Sequence, residues 1–257
     1  MTQHGSFDLR GSTAVVTGSS GGIGRAIAAA LAGAGAEVVV TGRRDTHVAE
    51  TVEQIRSAGG SAAGYPLDVR SAQSVSALFD TLDREHRRID ILVNNAGVQL
   101  RKPLLEVTEE DWTSVLDANL TGAFRMGTQV ARRLIAQRRP GKIINIASLT
   151  SSIARPGVGT YAASKGGLLM LTRAMAAEWG PHGLQANAIG PGVLATDMTA
   201  ELTADPDYDA WLRRRTPAGR WGSAHDVTGA AVFLCSPASD FVNGQILYVD
   251  GGVTAVM

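Results

Sequence analysis

The sequence predicts an α/β fold, a Rossmann-type doubly wound parallel sheet with helices on both faces. Three observations carry that reading. Short β-branched runs alternate with longer helix-patterned runs along the whole chain, the order a parallel sheet requires. The first of them, Thr13-Ala-Val-Val-Thr17, passes through a glycine turn into the alanine-rich stretch Arg25 to Ala34. Later apolar runs end in asparagine, serine or glycine, which gathers small polar residues at one sheet edge, where open α/β folds bind ligands. With 257 residues, 44% hydrophobic and 19% charged, the chain is long enough for one large core, and a single domain over 1–257 is expected.

Composition excludes several classes of function. A formal net charge of zero supplies no field to draw in nucleic acid or an anionic membrane surface. Cys235 is the only cysteine, so no intrachain disulfide forms, and its place in the apolar run Ala230 to Cys235 makes it a small core residue. The opening MTQHGSFDLRG lacks a basic start followed by an apolar block, and no apolar run reaches spanning length. The expectation is a cytoplasmic protein with a small-molecule substrate and neither nucleic acid nor membrane as partner. The five histidines show no paired ligand spacing, so no metal is expected.

The elements follow in order. Gly18, Gly22 and Gly24 are spaced G-x-x-x-G-x-G, with Ser20 and Ile23 between them. Glycines there let the backbone turn tightly against a pyrophosphate, and the helix that follows offers free N–H groups and a partial positive charge. Glu37 to Thr41 reads as the second strand, leading to Gly42-Arg43-Arg44. An acid at that strand end would bind ribose hydroxyls, whereas arginine suits a ribose phosphate, so NADP is favoured over NAD, with Arg43 as the contact. The alternative is a pair of solvated turn residues.

His47 to Ala58 reads as helix and Ser61 to Leu67 as strand, ending in Asp68-Val69. Asp68 either holds an adenine amino group against Val69 or caps the helix that starts near Ser71. Ile89 to Val93 leads into Asn94-Asn95-Ala96-Gly97, where small residues let the backbone pass beneath a ribose and the asparagines also tie strands. Arg101, just beyond, is placed to bind a substrate carboxylate. Thr108 to Gln137 is helical in pattern, and Asn119 in its middle marks a local kink, because asparagine competes for backbone groups.

Gly141 to Ile146 is a buried strand delivering Ser148 to the same edge, and the loop Leu149 to Gly159 carries Arg155. A helix holding Tyr161 runs to about Trp179. Leu184 to Ile189 is a strand ending in Gly190-Pro191-Gly192; Val193 to Arg220, with Thr196 near its start, is polar and irregular, a lid in prospect. Its arginine run, Arg213 to Arg215, reads as a solvated helix face. Ala224 to Leu234 is helical, and Gln245 to Val249 is a last strand.

Chemistry concentrates at Tyr161 and Lys165, four apart on one helix face. A free tyrosine titrates near pH ~10, and a neighbouring ammonium favours the phenolate and lowers that value. Tyr161 would then serve as a general acid or base, with the Ser148 hydroxyl holding a substrate oxygen. A tyrosine and a lysine at this spacing also arise by chance on helix surfaces, so the pair gains meaning only from the motifs around it.

Together, Thr17-Gly18-x-x-x-Gly22-x-Gly24, Asn94-Asn95-Ala96-Gly97, Asn119, Ser148, Tyr161-x-x-x-Lys165 and Pro191-Gly192 resemble the short-chain dehydrogenase/reductase family, in the right order over nearly the whole chain. The resemblance implies hydride exchange between C4 of a nicotinamide and a carbinol or carbonyl carbon. It makes Tyr161 the acid/base and Lys165 the group that lowers its pKa and binds the nicotinamide ribose. Ser148 positions the substrate oxygen, and Asn119 holds a water that links Lys165 to solvent. It also assigns Asp68 and Val69 to the adenine pocket, Asn95, Ala96 and Gly97 to the cofactor ribose region, and Thr196, with Pro191 and Gly192 nearby, to the nicotinamide end.

Within the family, Gln99-x-Arg101-x-Pro103, Met170-Leu-Thr-Arg173, Arg215-Thr-Pro-Ala-x-Arg220-Trp221-Gly222 and the ending Ala238 to Gly252 resemble the gluconate 5-dehydrogenases. That resemblance implies the NADP-linked interconversion of D-gluconate and 5-keto-D-gluconate, with Arg101 and Arg155 facing the anionic substrate, and a homotetramer. Ser152, where that group suggests an acid, and Leu100, in place of a second arginine, depart from its pattern. Reductases of 3-oxoacyl thioesters, deoxy-sugar acids or secondary alcohols share every catalytic residue and remain open, and a cofactor-binding sensor without turnover is a third class.

Overall fold

The structure, a computed structural model, describes residues 6–256. Among them, seven strands form one parallel sheet in the order β3-β2-β1-β4-β5-β6-β7. These are β1 (Thr13–Val16), β2 (Glu37–Gly42), β3 (Ser61–Pro66), β4 (Ile91–Asn94), β5 (Gly141–Ile146), β6 (Leu184–Pro191) and β7 (Ile246–Val249). The chain winds outward from β1 to β3, returns, and winds the other way from β4 to β7. The reversal leaves a crevice between β1 and β4 at the carboxyl edge, the switch point of a doubly wound sheet.

Each central strand is apolar on both faces because both are covered, and alternate residues serve opposite cores. Ala14, Val16, Val38, Val40, Ile91 and Val93 pack on one side with Ile27 and Leu31 of α1 (Gly22–Gly33) and Val48 and Ile55 of α2 (Asp45–Ser57). Val15, Val39, Leu92 and Ile143 pack on the other with Leu78 and Phe79 of α3 (Ala72–Arg84). Helices α4 (Glu109–Leu116), α5 (Gly122–Ala136) and α6 (Gly159–Trp179) follow; Met126 of α5 and Met175 of α6 close this second core. Cys235 is buried in the first core, at the end of α9 (Thr228–Cys235), where burial pushes its thiol up to about 12, an inert packing group as expected.

Two expectations change and one gains its form. The helical run over Thr108 to Gln137 carries the irregularity expected at Asn119, as a π turn, Asp117–Thr121, that joins two helices and has Asn119 at its centre. An extra residue per turn rotates the Asn119 amide inward, where tertiary hydrogen bonds replace the helical ones its side chain would compete with. The segment after β6 is not irregular: it contains α7 (Ala200–Thr203) and α8 (Pro206–Arg215). Asp205 starts α8 by accepting from Asp207 N and Tyr208 N, and Pro206 occupies the first turn. Asp68 does not cap α3, since Ser71 does so by accepting from Ser74 N at 3.1 Å. The Asp68 carboxylate pairs with Arg70 at 2.7 Å.

Buried amides fix the crevice. Asn94 Nδ2 donates to Asn145 Oδ1 at 2.9 Å, tying β4 to β5, and Asn145 Nδ2 donates to Thr172 Oγ1 of α6 at 2.8 Å. Asn95 Nδ2 donates to the carbonyls of Thr17 and Gly18 at 2.9 and 3.0 Å, so it ties strand to glycine turn. Leaving such groups unpaired in a core costs about 1–3 kcal/mol. Asn145→Ala, at a fully buried position, is expected to lower unfolding stability by about 2 kcal/mol, read as a lower urea midpoint; an unchanged midpoint would show that the amide chain does not hold the sheet to α6.

Candidate active site

One cavity of about 620 Å³ runs along the carboxyl edge from the β2 end to the loop after β6. The glycine turn forms its floor near β1. Gly18 and Gly22 have φ of +62° and +52°, and a Cβ on Gly18 would lie 2.9 Å from the Ala96 Cα. Gly24 does not line the cavity. A Cβ there would strike the Gly18 carbonyl at 2.5 Å, so this glycine lets α1 pack against the turn. Helix α1 has no side-chain cap, which leaves the first-turn N–H groups to meet a ligand.

Beyond that floor the cavity has two chemically different ends. At the β2 end, Arg43 and Arg44 line it together with Arg25, His47 and Glu50. Gly42 leaves room there, since a Cβ on it would lie 2.6 Å from Ser20 Oγ. Asp68 and Val69 form the next stretch of wall. The Asp68 carboxyl lies below the usual carboxylate range, chiefly through its hydrogen bonds from Arg70 and with a smaller contribution from Arg43. Open space over Gly21 and Gly22, free N–H groups on α1 and arginines at the far end fit a dinucleotide carrying an extra phosphate.

Ser148, Tyr161, Lys165, Arg101 and Arg155 meet at the other end, with Pro191, Gly192 and Thr196 opposite. Lys165 is buried and donates from Nζ to the Ile146 carbonyl at 2.7 Å, which pins α6 to the end of β5. Burial lowers its ammonium to about 8. That ammonium lies 5.7 Å from the centre of the Tyr161 ring. Tyr161 itself departs from the sequence expectation: burial raises its phenol, and the opposing influences are a hydrogen bond with Ser148 and the charge of Arg101, not Lys165. Desolvation outweighs both of these, while the Lys165 ammonium directs a hydrogen bond to a backbone carbonyl. Ser148 Oγ accepts from Thr150 N at 3.1 Å, so its hydroxyl is held by the turn that follows it.

Asn119 stands behind this wall and does not line the cavity. Its Oδ1 accepts from Val98 N at 2.8 Å, and its Nδ2 donates to Val98 O and to Ser164 Oγ, both at 2.9 Å. The amide is a brace that holds the loop after β4 against α6. Gly24 and Asn119 apart, the predicted site residues, Gly18, Ser20, Gly22, Ile23, Arg43, Asn95, Ala96, Gly97 and the others named above, all line the one cavity. Sequence reasoning missed Arg25 and His47. Each sits in the first turn of a helix that points at the cavity, and that position was the available signal. Thr150, two residues past Ser148, was missed for want of any signal.

Comparison with known proteins places this geometry. The family model described as enoyl-(acyl carrier protein) reductase matches residues 18–254. The chain is similar to gluconate 5-dehydrogenase of Gluconobacter oxydans (strain 621H), 46% identical over 248 residues and 96% of each chain. It is also similar to 2-dehydro-3-deoxy-D-gluconate 5-dehydrogenase of Formosa agariphila, 43% identical over 98% of this chain and 96% of the relative. Among solved structures it superposes on a gluconate 5-dehydrogenase from Burkholderia cenocepacia J2315 in complex with NADP and tartrate, with a TM-score of 0.95 and 44% identity over 98% of each chain. With the seven-stranded parallel sheet and the cavity at its switch point, these matches establish that the chain belongs to the short-chain dehydrogenase/reductase family of oxidoreductases.

Proposed function

We propose that this protein is an NADP(H)-dependent sugar-acid oxidoreductase that interconverts D-gluconate and 5-keto-D-gluconate. The observation that carries the reading is the joining, in one cavity, of Ser148, Tyr161 and Lys165 at one end to Arg43 and Arg44 at the other. Relatives named for gluconate and for 5-keto-D-gluconate support it, and the Burkholderia structure is a complex with NADP and tartrate, a hydroxylated dicarboxylate. A deoxy-sugar acid is the second reading, supported by relatives named for 2-dehydro-3-deoxy-D-gluconate at 43% and 44% identity.

The cofactor supplies a hydride donor or acceptor and, when oxidised, a positive charge beside the phenol. Gly18, Ser20, Gly22, Ile23 and the first turn of α1 hold its pyrophosphate, and Arg43 its ribose phosphate. Asp68 and Val69 hold the adenine; Asn95, Ala96 and Gly97 follow the ribose; Pro191, Gly192 and Thr196 hold the nicotinamide end. Tyr161 gives its phenolic proton to a carbonyl oxygen, or takes one from a carbinol, while Ser148 holds that oxygen in line. Lys165 binds ribose hydroxyls and carries protons to Tyr161. Both amide hydrogens of Asn119 are taken, so a relay water would rest on a main-chain carbonyl freed by the π turn. Arg101 and Arg155 receive the carboxylate, and residues 193–220 close over it as a lid. The single domain works in the cytoplasm as a homotetramer, to which the exposed Phe124 and Met170 of α5 and α6 lend apolar surface.

A substrate panel with NADPH and NADP tests the function. 5-Keto-D-gluconate is expected to give the highest kcat/KM, and Tyr161→Phe to bind NADPH normally while losing about 10³-fold or more in turnover. Preference for 2-dehydro-3-deoxy-D-gluconate would move the substrate to the second reading; preference for a 3-oxoacyl thioester would displace both. Arg43→Ala is expected to raise the KM for NADPH about tenfold while leaving that for NADH nearly unchanged, and an equal rise in both would remove Arg43 from phosphate recognition.

The depressed Lys165 predicts a pH signature in the ligand-free protein. Between its folded value of about 8 and the ordinary 10.5, the unfolded chain binds more protons than the folded one, so stability attributable to this residue rises with pH across that window. The melting temperature of Lys165→Met relative to the wild type should therefore be most favourable near pH 7 and fall towards pH 10. A difference that stays constant would mean that Lys165 keeps its proton throughout.

A further inference from the structure

Both cations at the substrate end are held from the lid side. Arg101 donates to the Met198 carbonyl at 3.3 Å, and the Arg155 guanidinium carbon stands 5.5 Å from the centre of the Tyr208 ring on α8. Tyr208 is not a loose side chain. Its ring packs at 5.3 Å from Trp211 and 6.0 Å from Trp221, and Trp221 is fixed by donating from Nε1 to Asp209 at 2.7 Å. Among the described residues, Arg155 has no acidic partner within ion-pair distance, although it lines the cavity with Ser148 and Tyr161. A guanidinium stacked on an aromatic face keeps its planar fork of N–H donors free for a carboxylate. The Tyr208 hydroxyl is buried with no hydrogen-bond partner, so the contact uses the ring alone.

We propose that Tyr208 is a positioning residue for carboxylate recognition: seated on the Trp211–Trp221 platform, its ring aims the Arg155 fork at the acid group of the substrate and so makes specificity for an acid depend on α8. This rests on the sugar-acid reading above. It also explains why an arginine in a loop, on a side chain with many rotamers, can present a fixed anion site. The ring removes most of that freedom before substrate arrives.

The test compares Tyr208→Leu, Tyr208→Phe, Arg155→Ala and the double variant Arg155→Ala/Tyr208→Leu. Each is assayed for 5-keto-D-gluconate reduction and for NADPH dissociation by fluorescence. Tyr208→Leu is expected to raise the KM for the keto acid about tenfold, as Arg155→Ala does, with kcat within about twofold and NADPH affinity unchanged. The double variant should be no worse than either single one, and Tyr208→Phe should match the wild type because the hydroxyl has no partner to lose. A raised KM in Arg155→Ala with a normal KM in Tyr208→Leu overturns the positioning role and leaves the sugar-acid reading standing. Loss of kcat or NADPH affinity in Tyr208→Leu to the same degree as the rise in KM also overturns it, because a generally loosened lid does that. Should Tyr208→Leu fail to fold, Arg155→Lys decides: an ammonium cannot stack as a planar fork, and a wild-type KM there refutes the proposal. Absence of 5-keto-D-gluconate turnover by the wild type defeats the parent reading, and the inference with it.

Discussion

The hydrogen bond from Lys165 Nζ to the Ile146 carbonyl is the constraint on which the arrangement of Ser148, Tyr161 and Lys165 in the cavity depends. It joins the interior of α6 to the last residue of β5, beside the second tie that Asn145 makes to Thr172. Tyr161, one turn earlier on α6, and Ser148, two residues past Ile146, inherit their separation from it. The bond also has a cost. An ammonium taken out of water must be satisfied by a dipole, and burial nonetheless draws its titration down to about 8. A lysine poised there can both bind hydroxyls and exchange protons near neutrality, which one at its ordinary value could not do readily.

The same edge is polarised along its length. Arginines gather at the β2 end, where no acid faces them from the strand, and the middle is floored by glycines and backbone N–H groups. The far end carries a raised phenol, a depressed lysine and two further arginines. Burial moves the tyrosine and the lysine in opposite directions, and both shifts favour the neutral form. Burial therefore favours the protonated phenol at Tyr161.

Asn119 shows how a residue marked by its chemistry acquires its role from packing. An asparagine in a helix interior signals that something interrupts the helix. What interrupts it is a π turn, and the amide then braces Val98 and Ser164 instead of facing the cavity. Asp68 shows the reverse: two roles were open on sequence, and the neighbouring Ser71, a better helix cap, closed one of them.

Sequence alone determined the alternation of strands and helices, the glycine turn, the basic end of β2, and the Ser148, Tyr161 and Lys165 set, because these depend on local periodicity, on residue type and on spacing within one element. The start of α8 was legible in Asp205-Pro206, but the helices after β6 were hidden by a polar composition that resembles a loop. Tertiary structure alone decided the inward turn of Asn119, the phenol's upward shift, and the seating of Arg155 on a ring more than fifty residues away. Each of these is set by burial and by contacts between distant parts of the chain, and neither desolvation nor a long-range contact leaves a periodic trace in a linear sequence.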